Sequence, residues 1–408
     1  MRLVLGTLLL LLLLGQVDVQ IISPILPELS EFFEVSIANA GAIVTVYSVI
    51  GGLWALIIGP LSDKFGRLIF LQAAALVMAG ASALAYLTPF FSVFLLSRAI
   101  AGVAGATISV CIIAQIADMF PYEKRGKAMG LVGAVYAIAA VGGAPVGALI
   151  ASKFDWWMLY AISFFIALLL TASMYFTAGR LIGSNPLTNG FHVKKSLPFS
   201  LKKQIKEYHY FLKNSVTRSG LIVAVVISAT ATAVVTYLGA WLATDFSMSP
   251  GEMVPIYLSL GIATIIGSLF GGWLSDKLGK TFLVGNASLL LAVILFSTIF
   301  ISEITGVYAF CISGGLVIAM REGPYQALIT ELIKAEERGA YIALKSTAAK
   351  TGIAISAVIG GVLFQKIGFF AVANFAAVCS LIAAVLVFRA LNFSSMETKE
   401  TTTMQVAD

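Results

Sequence analysis

Apolar runs of about twenty residues follow one another along most of the chain, parted by short polar breaks near 59–67, 117–127, 180–218 and 272–280. About twenty residues of helix cross a hydrocarbon layer roughly 30 Å thick. Strict alternation of apolar and polar positions is absent, so the runs predict helices rather than barrel strands. The predicted spans begin with a helix from the start of the chain to Pro24, followed by 38–58, 68–87 and 90–116. A fifth ends near Ser152, and a sixth opens at Trp156 and Trp157, where interfacial aromatics anchor helices. The remaining six are 219–243, 253–273, 281–301, 305–329, 340–364 and 369–391. The leucine tract behind Arg2 has the outline of a secretory signal. No small-x-small cleavage site follows it, and the helix runs on through Asp18 and Gln20, so it is read as the first span.

The polar break Gly59, Pro60, Leu61, Ser62, Asp63, Lys64, Phe65, Gly66, Arg67 returns 213 positions later, with Gly272, Ser275, Asp276, Lys277, Gly279 and Lys280 in the matching places. The same offset carries Gly102 onto Gly315, Asp118 onto Glu331, Glu123 onto Glu336, Arg125 onto Arg338, Gly126 onto Gly339 and Gly147 onto Gly360 without a gap. Two copies of one six-helix unit follow. Because six is even, both copies have the same orientation and are related by a pseudo-two-fold axis along the membrane normal. The expected fold is an all-α membrane protein of 12 transmembrane helices in two halves, 1–179 and 219–391, with a linker over 180–218 and a polar tail over 392–408.

Composition agrees. With 59% hydrophobic and 11% charged residues and a mean hydropathy of +0.97, the chain has too little polar surface to cover a water-soluble globule. The net charge of +6 does not point to nucleic acid, because the basic residues lie between spans with no interleaved aromatic pattern. They sort by side: Lys64, Arg67, Lys124, Arg125, Lys127, the linker lysines, Lys277, Lys280, Lys334 and Arg338 fall on one face of the membrane, and only Lys153 and Lys366 on the other. The positive-inside rule then places both termini in the cytoplasm and the chain in the plasma membrane as a multi-pass protein. The loop carrying Glu28, Glu31 and Glu34 falls outside. Within the linker, 201–212 is a basic amphipathic helix of the kind that lies along a membrane surface. His192 and His209 are read as solvated, and Cys111, Cys311 and Cys379 as unpaired small hydrophobes inside spans. No metal or cofactor is expected.

The motifs resemble those of the major facilitator superfamily over almost the full chain. Gly59, Asp63, Lys64, Gly66 and Arg67 are similar to its G-x-x-x-D-[RK]-x-G-[RK] loop, Arg98 and Gly102 to its R-x-x-x-G pattern, and 118–126 to its D-x-F-P-x-E-x-R-G stretch. One departure stands in the fifth span: proton-driven drug exporters of the superfamily carry G-P-x-x-G-G there, whereas this chain has Gly142, Gly143, Ala144, Pro145, Val146, Gly147. The resemblance implies a drug or solute transporter of the proton-antiporter type. It further implies an inner latch in which Asp63 lies against the start of the eleventh span after Gly339 and Arg67 pairs with Asp118, with Gly59, Lys64, Gly66, Arg125 and Asp276 completing the set. The alternative for these residues is a turn whose charges only orient the loop.

Ionisable residues at bilayer depth are costly and mark function. Asp18 stands roughly 21 Å from the inner end of the first span, and Arg98 roughly 12 Å from the outer end of the fourth, so the two share a height. They are a candidate pair for proton coupling or substrate contact, the alternatives being a permanent structural ion pair or an Asp18 that only faces the outer vestibule. Arg321 and Glu322 lie at the height of Lys350, which predicts a Glu322–Lys350 pair and leaves Arg321 to face a cavity or Glu322 itself. Lys345 is shallower and is expected to snorkel to the inner surface. Gly323 and Pro324 are expected to break the tenth span beside these charges. Tyr47, Tyr136, Tyr237, Tyr257, Tyr325, Gln326 and Trp241 are candidates to line a cavity. The cationic excess favours a neutral or anionic organic solute.

The function these features predict is secondary active transport by a monomer, with protons and a small organic solute as partners and efflux as the direction. The competing readings are proton-coupled uptake of an organic anion and a transport-dead receptor or sensor. An enzyme finds no support, since no intramembrane histidine, H-E-x-x-H or phosphate-binding loop is present.

Overall fold

A computed structural model describes residues 2–119, 122–182, 201–333 and 338–391. All regular structure in these residues is helical: α1 (Arg2–Gln20), α2 (Ile22–Phe32), α3 (Ile37–Ala40), α4 (Ala42–Phe65), α5 (Arg67–Leu87), α6 (Phe91–Met119), α7 (Tyr122–Lys153), α8 (Trp157–Ile182), α9 (Leu201–Lys213), α10 (Ser215–Asp245), α11 (Pro250–Leu278), α12 (Lys280–Phe296), α13 (Ile304–Leu332), α14 (Arg338–Ile367) and α15 (Phe369–Leu386), with short 3-10 and π turns after α12 and α15. Among the described residues, twelve helical segments are long and apolar enough to cross a membrane. The chain divides into two compact units, Met1–Phe199 with Gly239–Pro255, and Ser200–Leu238 with Ile256–Asp408.

In the first unit α6 packs on α4 and α5, α5 on α8, and α1 on α7. The core is leucine from α1 (Leu8, Leu11, Leu12) against small residues of α5 and α6 (Ala74, Ala75, Ala101, Ala104). Small residues let helix axes approach where no hydrophobic drive acts between apolar neighbours in lipid. In the second unit α12 packs on α13 and α15, and α9 lies against α14, with Phe211 of α9 buried edge-on to Tyr341 at 5.2 Å.

The 213-residue repeat is visible as geometry. Gly66 and Gly279 have φ of 97° and 89°, a region open to glycine, and each ends one helix and starts the next. Ahead of them Ser62 donates to the Gly59 carbonyl and Ser275 to the Gly272 carbonyl, both at 2.8 Å. A Cβ on Gly102 would stand 2.5 Å from the Tyr47 carbonyl oxygen, and one on Gly315 would stand 2.9 Å from that of Leu260. Helix α6 therefore crosses α4, and α13 crosses α11, backbone to backbone at equivalent points of the two copies.

Two expectations are corrected. The helix that starts the chain does not end at Pro24: after one non-helical residue at Ile21 it resumes as α2 to Phe32, so Glu28 and Glu31 stand on helix rather than loop. Pro24 falls in the first turn of α2, where no backbone donor is required. Nor do Gly323 and Pro324 break α13, which is continuous through both. Pro324 withdraws one N–H, the one that would reach the Met320 carbonyl. The backbone of α11 at Gly271 packs on that oxygen, too close for any side chain. The local loss is confined to one hydrogen bond.

Candidate functional site

In the first unit the chemistry lies along one face of α6. Arg98, Gly102, Gly105 and Ser109 are spaced by four, three and four residues, which aligns them on one stripe. Arg98 and Asp18 of α1 are 1% and 2% exposed, and both Asp18 oxygens accept from Arg98 Nη1, at 3.1 and 3.0 Å. The guanidinium carbon lies 4.7 Å from the Tyr160 ring centroid and 5.6 Å from that of Phe94. Nη2 and the Tyr160 hydroxyl have no hydrogen-bond partner among the described residues. Tyr47 of α4 stands beside the pair and against Gly105, and deeper along the stripe Ser109 accepts from Gln16 of α1 at 3.3 Å and is hydrogen-bonded with Tyr136 of α7. Tyr136 is partly exposed at 37%.

Asp18 is held in place from behind by α7. A Cβ on Gly143 would meet Gln20 Cβ at 2.6 Å, and one on Gly147 would meet Ile21 at 3.2 Å. The displaced glycine and proline pattern of this helix thus still serves close packing, here against the residues flanking Asp18.

In the second unit the predicted charges separate. Arg321 is 0% exposed and turns to α12 and α15, where Nη1 donates to Ser288 at 3.3 Å and Ser380 at 3.0 Å. It does not face Glu322, and Nε and Nη2 lack partners among the described residues. No ion pair between Glu322 and Lys350 is present among the described residues, and Lys350 is half-buried on α14. Glu322 instead accepts from Gln326 Nε2 at 3.0 Å, and Gln326 Oε1 accepts from Lys345. Lys345 does not snorkel. It is 7% exposed, with Nζ 5.4 Å from the Tyr325 ring centroid. Depth along the sequence misdirected this side chain, because it fixes height on a helix but not the direction in which the side chain points.

The aromatic candidates divide. Tyr237 and Tyr325 are core residues whose hydroxyls donate to the carbonyls of Ala357 and, at 2.7 Å, Gly220. Tyr257 is 2% exposed, and Trp241, 4% exposed, donates to Asp245 at 3.1 Å. Tyr47, Tyr136 and Gln326 retain open surface.

Of the latch set, the side chains of Asp63, Asp118 and Arg125 lie outside the described residues. The second copy is described: Lys280 and Glu331, the counterparts of Arg67 and Asp118, form an ion pair between the start of α12 and the end of α13. Asp276 is exposed, and Lys277 lies 4.0 Å from the Trp273 ring centroid.

Known proteins share this organisation. The uncharacterised MFS-type transporter YceJ of Bacillus subtilis (strain 168) is 27% identical over 379 residues, covering 90% of this chain and 91% of its own. The class H tetracycline resistance protein of Pasteurella multocida is 34% identical over 149 residues, 35% of this chain and 36% of its own. The crystal structure of the D-xylose-proton symporter superposes with a TM-score of 0.74 at 17% identity, covering 95% of this chain and 97% of that one, and is similar in fold. The sequence pattern of the Major Facilitator Superfamily matches residues 8–321. A twelve-span helical chain with a doubled loop motif, a buried Asp18–Arg98 pair and that match belongs to the Major Facilitator Superfamily: it is a multi-pass membrane transporter and not an enzyme.

Proposed function

We propose that the protein is a proton-coupled exporter of a small organic solute, working by alternating access in the plasma membrane with both termini in the cytoplasm. The observation that carries this reading is the Asp18–Arg98 pair, a carboxyl and a guanidinium almost wholly out of solvent within a span. In the cycle we infer, the rearrangement parts the pair and the Asp18 carboxyl exchanges Arg98 for a proton. A carboxyl that changes protonation with conformation couples solute movement to a proton gradient. The halves 1–179 and 219–391 act as the two moving parts, and the loop motif at Gly59, Asp63, Lys64, Gly66 and Arg67, with its second copy, latches them on the inner side. Export is favoured by the partial similarity to a protein named for tetracycline resistance.

The second reading, uptake of an organic anion, is favoured by Lys345 and Lys350 in the second unit. Reconstitution into liposomes with an imposed proton gradient separates the two by direction. Proton-driven flux that is lost or uncoupled in Asp18→Asn supports the coupling role, and flux with unchanged pH dependence in that variant refutes it.

A further inference from the structure

The second unit shows an unusual neutralisation of charge. Lys345 is buried, yet its ammonium meets no carboxylate among the described residues; it donates to the amide oxygen of Gln326, whose nitrogen donates to Glu322. A neutral amide thus stands between a buried cation and an anion and completes both. The Tyr325 ring beside Nζ is fixed by its hydroxyl on Gly220, so the ammonium has an ordered wall on one side. On the other side Glu322, Gly323 and Gln326 form an exposed polar stripe on α13, and the space beside the Gly323 α-carbon is open. Exposed ionisable groups within a span face water or solute rather than hydrocarbon.

We infer that this amide bridge is a stand-in for the solute: an organic anion takes the place of Gln326 at Lys345, and a hydrogen-bond donor next to the anionic group takes the place of Gln326 at Glu322. The inference rests on the transport reading above and narrows the solute to compounds such as hydroxy- or amino-carboxylates. An anionic oxygen is a stronger acceptor for an ammonium than a neutral amide is. A plain cation gains only Glu322 and leaves Lys345 unchanged, so it binds worse. Arg321 takes no part, being turned to Ser288 and Ser380.

The test is equilibrium binding to the purified full-length protein in nanodiscs, with no gradient, using four probes that share one ring: 3-hydroxybenzoate, benzoate, benzamide and benzylammonium. The expected order of affinity is the order in which they are named. Lys345→Met weakens both carboxylates about tenfold or more. Glu322→Gln removes the advantage of 3-hydroxybenzoate over benzoate. Gln326→Ala, which deletes the internal competitor, strengthens benzoate several-fold, a gain that a merely structural role would not produce. The inference is overturned if benzylammonium binds best, if Lys345→Met leaves the order intact, if Gln326→Ala weakens every probe alike, or if no probe binds at millimolar concentration. Because no gradient is applied, flux whose pH dependence is unchanged in Asp18→Asn liposomes refutes the coupling reading without touching this one, and the reverse also holds.

Discussion

Arg98 holds Asp18 through a single nitrogen, both carboxylate oxygens accepting from Nη1 while Nη2 has no partner among the described residues. A fork-on-fork pair would use two nitrogens and resist separation more strongly. Removing one partner leaves the other charge buried and bare, at a cost of about 3–5 kcal/mol. Asp18→Asn and Arg98→Met are therefore each expected to lower thermal stability markedly, and the double variant to recover much of the loss. A double variant as unstable as the sum of the singles would show that the two groups are not coupled.

Arg321 is the opposite case. Its guanidinium is buried with no ion pair among the described residues, and two serine hydroxyls accept from it. An apolar residue of similar length avoids the desolvation, so Arg321→Met is expected to unfold at the same or a higher temperature than the parent and to transport normally. A loss of stability above about 2 kcal/mol would mean that the charge has an unrecognised counterpart.

The crossings at Gly102 and Gly315 are expected to respond alike. A methyl group at either meets a carbonyl oxygen of the facing helix, and forced overpacking costs about 1–3 kcal/mol. Gly102→Ala and Gly315→Ala should destabilise, whereas Gly130→Ala, with open space around its α-carbon, should not. Parallel thermal melts decide it.

Glu28 lies between the first two spans, near Asp155 and Glu31, and burial followed by these two charges pushes its pKa from 4.5 to about 7. The folded protein therefore binds this proton more tightly than the unfolded chain. The resulting penalty is absent below about pH 4.5, grows up to about pH 7 and stays constant above. Glu28→Gln is expected to raise the unfolding temperature at pH 8 and to leave it unchanged at pH 4. An equal effect at both values would refute the ionisation argument.

The ion pair of Lys280 and Glu331 is solvent-exposed, with side chains 27% and 58% accessible, and its contribution to stability is below about 1 kcal/mol. If it works as part of a latch, Lys280→Glu should slow flux with little change in melting temperature. Lys280→Glu with Glu331→Lys should restore the rate, and a failure to do so would assign the pair to the loop alone.

Much of this was legible because a repeat is a strong constraint. The offset of 213 set Gly279, Gly315 and Glu331 against Gly66, Gly102 and Asp118, and in the structure Gly66 and Gly279 both turn the chain while Gly102 and Gly315 both stand at backbone crossings. Counting residues from a span end put Asp18 and Arg98 at one height, where they meet. The same counting misjudged Arg321 and Lys345. Height says nothing of azimuth, and the two side chains project to different sides of the second unit, one into serines and one onto Gln326. The continuity of α13 was hidden for another reason: Pro324 costs the helix a single hydrogen bond, and α11 packs closely at Gly271 on the carbonyl left without it, a contact from a different helix.

The carbonyl-on-glycine contacts of α4 with α6 and α11 with α13 have a mechanical consequence. Contacts made of long side chains can slide by changing rotamers, as small shear motions do. These crossings offer no rotamers to change, so each helix pair is a welded joint, and the compliance of a transport cycle must reside in other contacts.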